Sequence, residues 1–589
     1  MRRGNGERAS FKYLVPLIKY IKKYRVKLIL AIVFAIVGTI CTIVGPDLVS
    51  KIADYISEGL YGEMNIDAIT RIGFIMIGIY ALAWVFSFLQ SRFMVYVTQS
   101  TSYGLRKEIS RQINILPLRY FDNHLIGDIL SRVVNDVDTI GQTMTQSVGT
   151  LFQSGTQFIG VLIIMFATNW ALTLVALGAA VIGFILMFIT MSRSQKYFVM
   201  AQVHMGELNG HIEEIYAGHD VVRAYNAEKF EEEKFKKIND EYSECIWKGH
   251  FAGSILPPIM GFVGNLGYVA VCVVGAIMAM NGQITFGTII AFMIYVRLFT
   301  NPLQQLGQVF TQLQSTAAAS KRVFEFLEEE VLPDDMNLPV RIPYGTAKGD
   351  VKFEHVNFGY YPDHTIIHDF SAMAPAGKKV AIVGPTGAGK TTMVNLLMRF
   401  YEVNSGRITI DGVPISEMRR EEVHALFGMV LQDTWLFEGT VKDNIKYSKE
   451  ASDEKVIEAA KAAGIHHFIM TLQNGYDTVL DENANVSAGQ KQLITIARAM
   501  VEDAPFLILD EATSSVDTRT EELIQQAMDK LMKGRTSFII AHRLSTIKNA
   551  DLILVMKNGD IIEQGNHEEL MAQGGFYAGL YNSQFDQVD

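Results

Sequence analysis

The apolar positions of this chain change their rhythm once. Up to about residue 300 they come in runs long enough to cross a bilayer, which takes about 20 mostly apolar residues per helix. Leu28 to Val44, extending toward Val49, predicts a first span, and Ile72 to Leu89 a second. Leu151 to Met191 is too long for one span and is interrupted at Thr168-Asn169-Trp170. It predicts two helices joined by a tight turn. Phe262 to Met280 and Ile284 to Phe299 complete a set of six, split by the turn residues Asn281-Gly282-Gln283.

Between the second and third spans, and again between the fourth and fifth, the chain is long, polar and helix-patterned: roughly Gln99 to Gln146 and Ser192 to Trp247. Such stretches are far longer than turns and predict that the membrane helices continue beyond the bilayer. Two pieces interrupt them, Leu116 to Asp138 (containing YFD) and Tyr216 to Phe230 (GHDVVRAYN). Each is either a helix hairpin packing on its neighbours or a docking segment for the other half of the chain.

From Val351 the pattern becomes short β-branched runs separated by Gly and Asp. Lys378 to Gly384 reads as a buried strand that runs straight into GPTGAGKTT. Gly384, Gly389, Lys390 and Thr391 fit the phosphate-loop spacing in the strand-then-helix context that it requires. Glycines let successive backbone N–H groups face phosphates. The lysine reaches the outer phosphates, and the threonine offers its hydroxyl to Mg²⁺. Phe506 to Leu509 predicts a second buried strand ending in Asp510-Glu511, one acid to hold a hydrated Mg²⁺ and the next to polarise a water. Ser537 to Ala541 predicts a third, ending at His542, and Gln432 follows the apolar Met429-Val430-Leu431.

Composition narrows the reading further. Of 589 residues, 49% are hydrophobic, and the net charge of -10 leaves no basic footprint for nucleic acid. Arg2, Arg3, Lys19, Lys22, Lys23, Arg25 and Lys27 precede the first span, while the connection after it carries Glu58, Glu63 and Asp67. This asymmetry predicts a cytoplasmic N-terminus and, with six spans, a cytoplasmic C-terminal half. Cys41, Cys245 and Cys272 have no metal-ligand spacing and read as small buried hydrophobes. The leading MRRGNGERASFKY runs directly into the first span without a small-residue cleavage site, so no removable signal peptide is expected.

Taken together, these motifs resemble those of an ABC exporter half-transporter of the multidrug-exporter-like, type IV kind, over nearly all of the chain from about Leu14 onward. GPTGAGKTT resembles Walker A, LILDE resembles Walker B with Glu511 as the catalytic glutamate, and LQD around Gln432 resembles the Q-loop. SSVD, from Ser514 to Asp517, matches the D-loop, and AHR around His542 the switch histidine. Tyr360 matches the aromatic that stacks on adenine, Glu482 the acid of a loop that touches intracellular helices, and the two interrupting segments the coupling helices. The fold implied is an all-α six-helix transmembrane domain with long intracellular helices (residues 1–325), a linker (326–350) and an α/β P-loop ABC ATPase domain (351–589). ATP would lie on Tyr360, Gly384, Pro385, Thr386, Gly387, Ala388, Gly389, Lys390, Thr391, Thr392 and Asp510, with Mg²⁺ on Thr391, Gln432 and Asp510, partly through water.

VSAGQ, from Val486 to Gln490, occupies the family's signature position, usually LSGGQ. In this family ATP is sandwiched between one domain's Walker A and its partner's signature, so Ser487, Ala488, Gly489 and Gln490 would meet a nucleotide held by a second half-transporter. Ala488 puts a methyl group where the family has glycine, and glycine tolerates conformations that cost alanine energy. A looser contact is therefore expected. Intact Glu511, Gln432 and His542 beside an altered signature resemble the catalytic chain of a heterodimeric exporter with one degenerate ATP site; a homodimer is the rival.

The resemblance implies ATP-driven export by alternating access from the cell membrane, with a hydrophobic or amphipathic compound, drug-like or lipid, as substrate. The alternatives are a homodimeric lipid flippase and an ATP-gated regulator or channel that pumps nothing. Import on the same fold remains a smaller alternative. Asp47, near the outer end of the first span, and Arg297, in the sixth, are ionisable residues within the spans, each a candidate for function or for a structural ion pair.

Overall fold

The computed structural model describes residues 11–60, 62–343, 345–432, 434–447, 449–480, 486–510, 517–540 and 544–585. The chain divides into two compact units, one containing residues up to Asn114 together with Ile126–Glu329, the other containing Ile115–Leu125 together with everything from Glu330 onward.

The first unit is all helix. Among the described residues, six helical stretches are long and apolar enough to cross a membrane. Their principal helices are Arg25–Gly59, Ile66–Ile115, Gly149–Thr168, Trp170–Ala217, Leu256–Met280 and Phe286–Leu327. The second and fourth have 50 and 48 residues. At 1.5 Å per residue each is about 70–75 Å long, more than twice a bilayer core of about 30 Å. The long polar connections are therefore continuations of spans, as their pattern predicts. Six-residue helices, Leu118–Asn123 and His219–Ala224, interrupt them where the aromatic segments stand in the sequence.

Local chemistry places the turns. Asn169 is extended (φ -159°, ψ 116°) and its side chain accepts from Leu172 N at 3.0 Å, capping the fourth long helix directly after the third has ended. The Asn281–Gln283 turn reverses at Gly282, whose φ is +69°. Thr285 then caps the last helix, accepting from Thr288 N at 3.3 Å. Asp54, near the end of the first long helix, adds two bonds there: it accepts from Gly287 N at 2.7 Å and from the Thr285 hydroxyl at 3.0 Å. A Cβ on Gly287 would collide with Ser50 O, so glycine lets the two backbones meet. The core between the helices is built from Ile43, Val161, Met165, Leu172, Phe292 and Phe299. Polar pins cross it as well: Ser154 donates to Gln305 at 2.7 Å, and Gln157 to the carbonyl of Leu298 at 3.1 Å.

The second unit is α/β. Its main sheet has six strands in the spatial order Asp560–Gly565, Leu552–Lys557, Lys379–Val383, Thr536–Ile540, Phe506–Asp510 and Phe427–Val430. All neighbours are parallel except the first pair. Helices cover both faces, as a mostly parallel sheet requires, and the strands alternate accordingly: Val380 and Ile382 enter one core, Ala381 and Val383 the other. A second, antiparallel sheet of four strands, including Val351–Phe358 and Ile367–Ala374, packs in the first of these cores.

Candidate nucleotide site

Strand register brings the predicted site residues to one edge. Ile382 lies opposite Ile540, Ile540 opposite Asp510, and Leu509 opposite Val430. Gly384, Asp510 and Gln432 thus leave the carboxyl ends of neighbouring parallel strands, where ligands bind open α/β sheets. Glu511 and His542 follow the same strands by one and two residues. They lie, with Glu482, outside the described residues.

The loop between Val383 and the helix Lys390–Leu397 is shaped by its glycines. Gly387 and Gly389 have φ of +82° and +97°, the left-handed region in which an L side chain is strained. A Cβ on Gly384 would collide with Met556 O. The loop closes through Ala388 N to Pro385 O at 3.2 Å and Gly559 N to Ala388 O at 3.3 Å. Lys390 is 7% exposed, and its ammonium donates back to the loop carbonyls of Gly384 at 2.7 Å and Pro385 at 3.0 Å. Burial pushes this ammonium below its ordinary lysine value, while the negative charge of Asp510 pulls the other way. Anionic phosphate at the loop would relieve the same desolvation.

Pro385, Thr386 and Gly387 are exposed at the loop crest, and Thr391 is exposed at the helix start. Thr392 is buried, its hydroxyl 3.4 Å from that of Tyr360. Asn395 donates to the same phenol at 3.3 Å. These bonds set the Tyr360 ring beside the phosphate-loop helix, edge-on to Phe358 and Tyr401 at 5.0 and 4.9 Å between centroids. Thr391, Asp510 and Gln432 offer only oxygen ligands, the donor set that Mg²⁺ prefers.

The signature opens the helix Ala488–Glu502. Ser487 is its N-cap, and Ser487 and Gln490 form a reciprocal capping box. Ser487 and Ala488 are exposed, whereas Gly489 is buried. Ala488 is the first residue of the helix and has no positive φ. The backbone strain expected of alanine at this position is therefore absent; what remains is a methyl group on the exposed face. Asp517 caps the helix Thr518–Met532 by accepting from Thr520 N at 3.0 Å, and this bonding holds its carboxyl below the usual range.

The ABC transporter transmembrane region family matches residues 28–303, and the ABC transporter family residues 367–514. The fatty acid ABC transporter ATP-binding/permease protein of Mycobacterium bovis is 44% identical over 87% of this chain and 80% of its own length. The ATP-dependent lipid A-core flippase of Syntrophus aciditrophicus is 35% identical over 94% of this chain and 92% of its own. A bacterial Atm1-family ABC exporter solved with ATP bound superposes with a TM-score of 0.75 at 28% identity, covering 95% of this chain and 98% of that one.

The chain belongs to the ABC transporters. It is an ABC exporter half-transporter, a multi-pass membrane protein whose ATPase domain binds ATP and couples its hydrolysis to transport. Half-transporters of this family work as dimers, so the ABC chain requires a second half.

Two features of this ABC ATPase unit add contacts that the motif reading did not name. The six-residue helix Leu118–Asn123 belongs to the same compact unit: Asp122 accepts from the Tyr401 hydroxyl and Asn123 from that of Tyr361, the latter at 3.0 Å. Arg119 lies over the Tyr361 ring, 5.7 Å from its centroid. These residues and Tyr360 line a cavity of about 240 Å³, so the first interrupting segment reaches the surroundings of that tyrosine. Arg498, on the signature helix, donates to the carbonyls of Asn444 at 2.8 Å and Trp435 at 3.3 Å, joining that helix to the segment after Gln432. In the membrane unit, Asp47 pairs with Lys51 at 2.8 Å, and Arg297 lies over the Tyr268 ring, 5.9 Å from its centroid.

Proposed function

We propose that this chain is the hydrolytic half of a heterodimeric exporter that moves lipid-like, amphipathic compounds out of the cytoplasmic leaflet of the cell membrane. Its N-terminus and ATPase domain face the cytoplasm. ATP and Mg²⁺ bind its own phosphate loop, with Thr391, Asp510 and Gln432 around the metal. Glu511 orients or deprotonates the attacking water, and His542 holds the outer phosphate. The relatives named for fatty acid and lipid A-core support the substrate class.

The observation that carries the heterodimer is the exposed Ala488 methyl at the start of the signature helix, in a chain whose sequence keeps Asp510, Glu511 and His542. That methyl stands on the face offered to the partner's nucleotide. The slow site is then the one built on the partner's Walker A. A homodimeric flippase is the second reading, favoured by the unstrained backbone at Ala488.

Affinity capture of a tagged copy from its native membrane, in cells that also make an untagged copy, separates the two. A heterodimer brings down a different half-transporter and no untagged copy; a homodimer brings down the untagged copy. Reconstitution with labelled fatty acid or phospholipid tests the cargo, and ATP-dependent movement of neither would overturn the substrate class.

A further inference from the structure

Two helices of the membrane unit, Trp170–Ala217 and Glu228–Ser254, pack side by side through their polar halves, joined by the short His219–Ala224 helix. Cross-contacts fix them as antiparallel. Ser194 donates to the carbonyl of Gly249 at 3.0 Å, His204 faces Glu241, and His211 faces Glu231. On the rim of this seam three ligand-type atoms converge. His204 Nδ1 lies 3.0 Å from Glu207 Oε2 and 3.6 Å from Glu241 Oε2, and the ligand atoms of all three residues lie within 4.8 Å of one another. His204 and Glu207 share one helical face through their three-residue spacing, and Glu241 comes from the other helix.

The charges do not balance among these residues alone. Two carboxylates share one imidazole, and among the described residues neither Glu207 nor Glu241 forms an ion pair with Lys or Arg. Their separations, however, suit a metal. With metal–ligand bonds of roughly 2.0–2.1 Å, ligand atoms around a tetrahedral ion stand about 3.3 Å apart. The observed 3.0 and 3.6 Å straddle that value. One imidazole and two carboxylates also neutralise a divalent cation and leave a position for water. The nitrogen ligand favours zinc-like transition ions over Mg²⁺ and Ca²⁺, which prefer all-oxygen sets.

We propose that His204, Glu207 and Glu241 form a binding site for a divalent transition cation of the Zn²⁺ class. The ion ties the two helices together beyond the bilayer and braces the His219–Ala224 segment between them. Farther along the seam, His211 is 6% exposed and its Nδ1 has no hydrogen-bond partner. Facing a single carboxylate, it lacks the third ligand and supplies the control.

The full-length protein in lipid nanodiscs, stripped with chelator, is titrated with Zn²⁺ by calorimetry and with Co²⁺ by absorption. The wild type should bind one Zn²⁺ per chain at this site and show ligand-field bands with Co²⁺. Glu241→Gln and His204→Gln should each weaken Zn²⁺ binding at least tenfold and remove the bands, while His211→Gln keeps both. Basal ATP hydrolysis at the wild-type rate in these variants establishes that they are folded. Equal Zn²⁺ affinity in wild type and Glu241→Gln, an absence of ligand-field bands in the wild type, or loss of the bands only in His211→Gln overturns the site.

Discussion

Ser487 and Gln490 satisfy each other. The Gln490 side-chain oxygen accepts from Ser487 N at 2.9 Å, and the Ser487 hydroxyl oxygen accepts from Gln490 N at 3.3 Å. This box settles two donors at the helix start and presets the signature backbone. Because the serine oxygen accepts, its own proton remains available to a phosphate oxygen.

Between them, Ala488 occupies the first helical position without strain. Ala488→Gly therefore acts through the lost methyl, and costs the helix under about 1 kcal/mol. The expected outcome is faster hydrolysis at the site completed by this signature, by several-fold. Single-turnover hydrolysis in a pair that carries Lys390→Met in this chain reads that site alone. An unchanged rate there would mean that the methyl is not what slows it.

Lys390 is buried, and among the described residues its ammonium is hydrogen-bonded to carbonyls of its own loop. Lys390→Met should lower ATP affinity by about a hundredfold or more and leave the apo protein as stable as before or more so, since a desolvated ammonium is removed. Because the folded lysine value is depressed, the unfolded chain binds more protons below the ordinary lysine value, and this residue makes stability rise with pH there. Lys390→Met should lose that part of the slope. Thermal unfolding with and without ATP checks both effects: saturating ATP at 100 times its Kd stabilises the wild type by about 2.7 kcal/mol, and the variant by far less.

His424 gives the ATPase unit an acid-sensitive joint. Its Nε2 donates to the Met398 carbonyl at 2.9 Å. Burial pushes the imidazole below its ordinary value; Arg420 and Arg399 push it the same way, while that carbonyl and Asp335 oppose. A depressed folded value means that the unfolded chain takes up a proton first, so the contribution is complete above the ordinary histidine value of about 6.5 and is lost as pH falls below it. His424→Gln, which keeps an N–H for Met398, should flatten the loss of thermal stability between about pH 7 and pH 5. The same acid limb in the variant would exclude His424 as its source.

The phosphate loop was legible because its chemistry is local: five consecutive residues, Gly384 to Ala388, must turn the backbone toward phosphate, and Gly387 does so with a positive φ that few residues tolerate. The spans were legible as apolar runs, but their ends were not. The first span, predicted to extend toward Val49, runs on as helix through Gly45-Pro46-Asp47 to Gly59. Glycine and proline are tolerated where neighbouring helices supply the packing. At Ala488 the family comparison suggested a strained backbone, and only the helix start shows otherwise. The partners Asp54–Gly287 and Asp122–Tyr401 were invisible because they join residues 233 and 279 positions apart. No local periodicity carries such pairings.

The second of these pairs makes its own prediction. Tyr401 packs edge-on against Tyr360, and its hydroxyl donates to Asp122 on the short helix Leu118–Asn123. Burial and the Asp122 carboxylate hold this phenol protonated well above its ordinary range, so it remains a donor at any physiological pH. Tyr401→Phe keeps the ring and its packing but deletes the donor, a loss of roughly 1.5–3 kcal/mol for a hydrogen bond to a charged group. If this bond carries nucleotide-dependent motion from the ATPase unit into the interrupted helix, the variant should bind ATP with wild-type affinity and hydrolyse it at a near-wild-type basal rate. Transported substrate per ATP should fall several-fold, and substrate should no longer stimulate hydrolysis. Asp122→Asn, which retains an acceptor oxygen, should lose less. Parallel measurement of transport and hydrolysis in the same proteoliposomes decides it: a proportional fall in both would place Tyr401 in nucleotide binding, and no fall in either would leave the bond with a purely structural role.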